Sequence, residues 1–202
     1  MNAKLYSSAI KKTAYRYAES KRIAFLLFEG KSWKEIYDDC VANNGISIAS
    51  EARRREVTNV VYNRVSKLDK YMLEQFVTGD ITTSKFILVL AIANTDKLFF
   101  EFLFEKYREA LITDRNYLSI DDFDSFYQAK KETNATVAKW CAETLVCLAK
   151  GYRNILAESG MGIRRGRSIE VQRLIIHPDV ERHIAEHYGN AYIEAMLGGE
   201  TV

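Results

Sequence analysis

This chain of 202 residues contains a single proline, Pro178. Proline breaks the interior of helices because it lacks an amide hydrogen and its ring clashes with the preceding turn. Nearly the whole sequence is therefore free to form helices. Apolar residues do recur at helical spacing, as in Trp33, Ile36, Tyr37, Cys40 and Val41. The sequence predicts a mainly α-helical protein.

Helix-start signals divide this pattern into separate elements. Ser32 with Glu35, and Ser119 with Asp122, have the spacing of a capping box, in which two residues satisfy free amides at a helix start. We expect two helical parts, residues 1–112 and 113–202, with a junction at 113–118. In the second part we expect one long helix over residues 134–159. A small β-hairpin should follow over residues 161–176, with Leu174 to Ile176 in its second strand.

Apolar runs and cysteines exclude several classes of protein. The longest apolar run, Phe86 to Ala93, has eight residues, whereas a helix that spans a bilayer needs about 20. We therefore expect no membrane span and a cytoplasmic location. Cys40, Cys141 and Cys147 are odd in number and lie in apolar stretches. This pattern predicts buried, reduced thiols instead of a disulfide framework or a zinc site.

Charge is unevenly distributed although the net charge is only +2. Residues 1–70 hold 14 Lys and Arg against 8 Asp and Glu, a net of +6, and residues 71–135 hold 7 against 11, a net of −4. Residues 150–173 hold 6 against 2, a net of +4. Ordinary variation on solvated surfaces explains such a pattern about as well as an anionic partner does.

The first basic segment has the pattern of a helix-turn-helix. Helices over residues 33–43 and 50–67 are separated by a turn at Asn44-Gly45, and the second helix of such a unit enters the DNA major groove. A step of ~100° per residue defines the face opposite the valine stripe of that helix. This face and its flank predict DNA contacts from Arg54, Arg55, Thr58, Asn59 and Tyr62.

Two further arginines of the same helix, Arg53 and Arg64, fall nearer its buried side. We expect them to pair with acids of the preceding helix, such as Glu35 or Asp38. The alternative for the whole face is an ordinary solvated surface with intrahelical ion pairs such as Glu51–Arg55.

The second basic segment surrounds a glycine in the predicted hairpin. Its sequence is Arg164-Arg165-Gly166-Arg167. A long helix followed by a basic hairpin is typical of winged helices, whose wing meets the phosphate backbone. The alternative is a flexible charged loop. We favour an anion-binding surface formed by these arginines together with Lys150, Arg153 and Arg173.

Signatures of catalysis are missing from the sequence. His183, Glu186 and His187 have the HxxEH spacing of inverted zincins, but a third metal ligand could come only from Glu194 or Glu200 downstream. We interpret this segment as a solvated helix without a metal. The sequence has no phosphate-binding loop, dinucleotide fingerprint or nucleophile elbow. We therefore expect no catalytic residues, no cofactor and no small-molecule substrate.

Several segments together resemble the BrxA family of the bacterial BREX phage-defence systems. The resemblance covers roughly residues 15–197 through the order of its elements. The segments that carry it are 19–24, 27–30, 32–35, the arginine-bearing helix after Ser50, 139–160, and Ile176-His177-Pro178 to the final helix. The resemblance implies a small helical protein similar to the antitermination factor NusB and to winged-helix modules. It also implies association with double-stranded DNA and action beside other BREX components, with no catalytic residues to carry across.

Patterning and resemblance together predict a non-catalytic component that binds double-stranded DNA mainly through phosphate contacts. A protein–protein adaptor without direct DNA contact is the chief alternative. RNA binding is a weaker alternative, because recognition of single-stranded RNA commonly uses exposed aromatic side chains, and most aromatics here have core spacing.

Overall fold

The computed structural model describes residues 6–113 and 115–199. Its backbone contacts group residues 16–95 into one compact unit, and the described residues of 1–15 and 96–202 into another. The expected division after residue 112 does not coincide with this grouping. Residues 103–112 pack against the last helix, residues 190–197, and so belong with the C-terminal part of the chain.

The unit of residues 16–95 is entirely helical. The helices are α1 Tyr17–Phe28, α2 Trp33–Tyr37, α3 Glu51–Val65, α4 Lys70–Thr78 and α5 Ile81–Thr95. α2 continues directly into a π-helical turn, Asp38–Ala42. α1 and α5 each pack against both α3 and α4.

Helix α5 contains the longest apolar run of the sequence. Every residue from Phe86 to Ala93 is fully buried, as expected of a helix that is apolar on all sides. The run is therefore core. In the described residues no helix combines the length and the apolar character that a bilayer span requires.

The predicted helix starts are confirmed. The Glu35 carboxylate accepts hydrogen bonds from the Ser32 amide and hydroxyl, both at 2.8 Å, and the Asp122 carboxylate accepts from the Ser119 amide at 2.7 Å. Ser50 caps α3 by accepting from the Arg53 amide at 3.4 Å. Each contact satisfies an amide that has no partner within its own helix.

The other unit combines helices with a small sheet. The elements are α6 Lys97–Phe102, α7 Arg108–Ile112, β1 Tyr117–Leu118, α8 Ile120–Thr133, α9 Ala135–Ala138, α10 Ala142–Ser159, β2 Gly162–Arg165, β3 Ser168–Val171, α11 Pro178–His187 and α12 Asn190–Leu197. A π-helical turn, Leu103–Tyr107, joins α6 to α7. A 3-10 turn at Ala9–Lys11 packs against α10.

Aromatic side chains hold α6, α8 and α10 together. The ring of Phe102 stacks on Phe123 with centroids 4.9 Å apart, and its centroid lies 5.1 Å from that of Tyr152. All three side chains are buried, and such pairs contribute about 0.5–1.5 kcal/mol beyond their buried area. This core holds α10 in place against β2 and β3, the two strands that follow it in the chain.

The sheet is antiparallel with strand order β1-β3-β2. A two-residue turn, Gly166-Arg167, joins Arg165 to its cross-strand partner Ser168. Gly166 has a φ of +61°, whereas Arg167 is not among the residues of positive φ. This is the pattern of a type II′ turn, which needs glycine at its first position.

The expected hairpin is present, but its second strand was placed wrongly. That strand is Ser168–Val171, whereas residues 174–176 form no strand and Ile175 is 90% exposed. β3 pairs on its other side with β1, which the sequence analysis missed. Pairing with strands on both sides draws residues 168–171 into the sheet.

The long helix expected over residues 134–159 is interrupted. α9 ends at Ala138, and α10 starts after Cys141. Cys141 is exposed and Cys147 is partly exposed. The expectation of buried thiols is therefore correct only for Cys40. The break turns the N-terminal end of α10 towards solvent.

We expect Gly151→Ala to destabilise the protein. Alanine should stabilise a helix interior by about 1 kcal/mol over glycine. A Cβ at Gly151, however, would lie 2.7 Å from Ile10 Cγ2 and 3.1 Å from the Ile10 carbonyl oxygen. The resulting overpacking should cost about 1–3 kcal/mol. Urea denaturation should show a lower free energy of unfolding, and a higher value would contradict this close packing.

Candidate nucleic-acid interface

Arg54 was expected to contact DNA, but its side chain is committed to the local fold. Its guanidinium donates to the carbonyl oxygens of Val41 at 2.8 Å, Ile48 at 2.8 Å and Ala49 at 2.9 Å. These bonds close the loop between the π-helical turn and α3. The Nε and Nη1 groups of Arg54 are thus used within the fold, and its contact with DNA stays a prediction.

Thr58 was expected on the exposed face of α3, and the structure contradicts this. Its side chain is fully buried. A helical wheel with one covered face does not describe α3, because α3 packs against α1, α5 and the π-helical turn. Neighbours on several sides extend the buried surface beyond the valine stripe, so Thr58 cannot reach a ligand.

The remaining predicted residues of α3 form a short stripe. Arg55 and Asn59 are exposed, and Arg55 forms an ion pair with Glu51. Tyr62 is partly exposed, and its ring centroid lies 4.3 Å from that of Trp33. α3 thus offers one paired arginine, an amide and an aromatic edge.

Arg53 pairs within its own helix and not, as was expected, with an acid of the preceding helix. Arg53 pairs with Glu56 at 2.5 Å, and Arg64 is buried. The Glu35 Oε1 lies 3.3 Å from the Lys31 Nζ, and the Asp38 Oδ2 lies 3.9 Å from the Lys34 Nζ. Glu35 and Asp38 are thus each paired with the lysine four residues before them.

The basic hairpin is tied to α10 by an arginine. Arg153 donates from Nη1 to the carbonyl oxygen of Arg167 at 3.1 Å and from Nε to that of Ala149 at 3.3 Å. Its guanidinium carbon lies 6.0 Å from the centroid of the Phe123 ring, within cation–π range. Arg153 therefore links the hairpin turn to α10 and to the aromatic core.

Arg164 projects from the hairpin towards α10. Its cross-strand partner is the buried Ile169, and such pairs project from one face of a sheet. Arg164 donates to the Oδ1 of Asn154, a residue that the sequence analysis missed. Lys150 lies one helical turn before Asn154 on the same face. We call Lys150, Arg153, Arg164 and Arg167 the α10 cluster.

The cations of the α10 cluster repel one another. Burial lowers the pKa of Arg153, and the charges of Arg164 and Arg167 lower this pKa further. Within residues 6–113 and 115–199, no carboxylate forms an ion pair with any member of the cluster. An anion that reaches the cluster would therefore relieve repulsion as well as gain hydrogen bonds.

Two predicted residues of this segment lie outside the α10 cluster. Arg165 neighbours Arg164 in the strand and so projects to the opposite face, where its Nε donates to Glu170 at 2.7 Å. Arg173 is exposed, and its Nη2 lies 3.4 Å from the place a Cβ would take at Gly198. One face of the hairpin thus carries Arg164, which has no carboxylate partner among the described residues. The other face carries Arg165, which is paired with Glu170.

A cleft of about 130 Å³ adjoins the α10 cluster. It is lined by α8, α10 and the hairpin turn, through Ile120, Phe123, Asp124, Val146, Ala149, Arg153 and Arg167. Sequence patterning did not identify this site, because its residues come from three separate segments.

The HxxEH segment lies on α11. The rings of His183 and His187 stack with centroids 4.0 Å apart. Of the possible third ligands, Glu194 lies 3.5 Å from Arg108 in an ion pair, and Glu200 falls outside the described residues. In the part of the chain that the structure describes, no group of three or more His, Cys, Asp or Glu side chains could hold a metal.

Comparisons with known proteins give a family and a fold. A family model described as BrxA matches residues 4–188. A protein of Bacillus cereus (strain H3081.97) named BREX protein BrxA is 30% identical over 194 residues, covering 96% of this chain and 97% of that protein. A crystal structure of an uncharacterized protein from Magnetospirillum magneticum superposes with a TM-score of 0.82 at 19% identity, covering 96% of this chain and 99% of that one.

We expect Arg54→Ala and Arg55→Ala to differ sharply in stability. The first change leaves three carbonyl oxygens without their charged donor and should cost about 1.5–3 kcal/mol. The second removes only an exposed i,i+4 ion pair with Glu51, which is worth at most about 0.5 kcal/mol. Chemical denaturation of both variants measures this difference. Equal stabilities would show that Arg54 does not hold the loop.

Proposed function

The chain belongs to the BrxA family, and we propose that it is a BREX phage-defence component that binds double-stranded DNA without catalysing a reaction. It binds the duplex mainly through phosphate groups. Other BREX components are its protein partners. The BREX assignment rests on the name of the Bacillus cereus relative, and the mode of DNA binding rests on the geometry of the α10 cluster.

The observation that carries the DNA proposal is the unpaired charge of the α10 cluster. Arg164 and Arg167 extend from a hairpin whose turn is fastened to α10, so the backbone from which both side chains project is set before a ligand arrives. Guanidinium groups bind phosphate oxygens through two parallel hydrogen bonds. A duplex offers regularly spaced phosphates, and binding releases the counterions that these hold.

Recognition of the phosphate backbone, not of base sequence, fits the chain as a whole. Of the α3 residues expected to contact DNA, Thr58 is buried and Arg54 is bonded to three backbone carbonyls. Arg55 and Asn59 are accessible, and Tyr62 is partly so. We assign these three residues a secondary role in binding. Little sequence discrimination follows, because bidentate contacts to base edges are what distinguish one base pair from another.

We expect duplex binding to weaken when the α10 cluster is neutralised. A labelled duplex, titrated in a salt series and followed by fluorescence anisotropy, measures the affinity. Lys150→Ala, Arg164→Ala and Arg167→Ala combined should weaken binding at least tenfold. The slope of log K against log salt should become shallower by roughly 2–3, since each phosphate contact contributes about 0.9.

The matched control is the pair Arg165→Ala and Arg173→Ala, which removes two nearby arginines that lie outside the cluster. It should keep the affinity within about twofold, because one paired and one remote charge contribute little. An equal loss of duplex affinity in both variants would show that only the net charge of the protein matters, and would contradict the proposed surface. Absence of binding at low salt would overturn the DNA proposal and leave the protein–protein adaptor.

A further inference from the structure

The cleft beside the α10 cluster has an apolar interior and a charged rim. Ile120 and Phe123 from α8 face Val146 and Ala149 from α10 across it. Val146 is 64% exposed, although its position on α10 places it against this apolar lining. The apolar lining of the cleft is therefore not covered by any side chain of the described residues.

Its size limits what can enter. The volume of about 130 Å³ is well below the roughly 300–1,000 Å³ of pockets that hold cofactors and drug-sized ligands. One apolar side chain of a partner fits such a space. A small hydrophobic pocket that takes one anchoring side chain is a common centre of protein–protein interfaces.

Charge decides which partner the cleft suits. Arg153 and Arg167 both line it, and in the described residues neither forms an ion pair with a carboxylate. Asp124 is the acidic residue of the lining. Its negative charge would repel the carboxylate of a partner from the part of the cleft that Asp124 lines. An incoming carboxylate is therefore directed to the two guanidiniums.

We propose that the cleft binds an acidic segment of a partner protein. The segment inserts one apolar side chain between α8 and α10 and sets a flanking carboxylate against Arg153 and Arg167. Clusters of arginine recognise acidic motifs in this way, and guanidinium–carboxylate pairs add directional hydrogen bonds. A phosphate backbone offers no apolar group to fill the interior, so the apolar lining favours a polypeptide over DNA.

This inference is independent of DNA binding, although Arg153 and Arg167 belong to both surfaces. Filling the cleft without changing charge separates the two. Ala149→Phe occupies the space with an aromatic ring and keeps every member of the α10 cluster. Val146→Ser removes one apolar wall at an exposed position, where serine has nearly the helix propensity of valine, and so provides a second variant if the first does not fold.

The test uses labelled peptides of sequence Glu-Glu-X-Glu-Glu, with X varied from alanine to valine, leucine, methionine and phenylalanine. Anisotropy with the full chain should show at least fivefold tighter binding for the larger X than for alanine. Ala149→Phe and Val146→Ser should each remove that preference. Arg167→Ala should weaken binding of every peptide, and replacement of the peptide glutamates by lysine should abolish it.

Duplex binding by the same variants separates this inference from the DNA proposal. Ala149→Phe should leave the affinity for the duplex within about twofold of the unchanged protein, since its charges are retained. Three results would overturn the peptide site: no peptide binds at millimolar concentration, all X bind equally, or Ala149→Phe weakens duplex binding as much as Arg167→Ala does. The last result would assign the cleft to the DNA surface.

Discussion

Repulsion among three guanidinium groups is the constraint around which the basic end of this protein is built. Arg153, Arg164 and Arg167 lie close enough for the last two to lower the pKa of the first. Hydrogen bonds to uncharged oxygens hold two of these groups in place, since Arg153 donates to the carbonyl oxygens of Ala149 and Arg167, and Arg164 donates to the side-chain oxygen of Asn154. No carboxylate in the described residues neutralises them by pairing. The fold thus supports a concentration of positive charge that an anionic partner would stabilise.

The hairpin can hold this charge because its base is anchored in the core. The Tyr107 hydroxyl lies 2.9 Å from the Met161 carbonyl oxygen and 2.8 Å from that of Gln172, one on each side of the hairpin. Burial raises the pKa of this tyrosine, which keeps the hydroxyl protonated as a donor. β1 and α10 flank the hairpin. The basic hairpin is therefore held by the core and by its neighbours, and it is not the flexible charged loop that was the alternative from the sequence.

The sequence revealed what depends on local chemistry and missed what depends on packing from several directions. Capping boxes and the glycine turn at Gly166 involve residues a few positions apart, so their patterns were sufficient. Thr58 was misplaced because a wheel with one buried face cannot represent a helix with three neighbours. The bonds of Arg54 within the fold were missed because its acceptors are carbonyl oxygens, which every residue carries. The cleft was invisible, since no periodic pattern relates Phe123, Val146 and Arg167.

Arginine-specific labelling tests directly whether the α10 cluster is the anion-binding surface. The protein would be modified with phenylglyoxal, with and without a short duplex at low salt, and each arginine quantified by mass spectrometry. The duplex should protect Arg164 and Arg167. Two exposed arginines outside the cluster, Arg173 and Arg22 of α1, should react equally in both samples. Unchanged reactivity at Arg164 and Arg167 under conditions where the duplex is bound would contradict the assignment and place the DNA elsewhere on the protein.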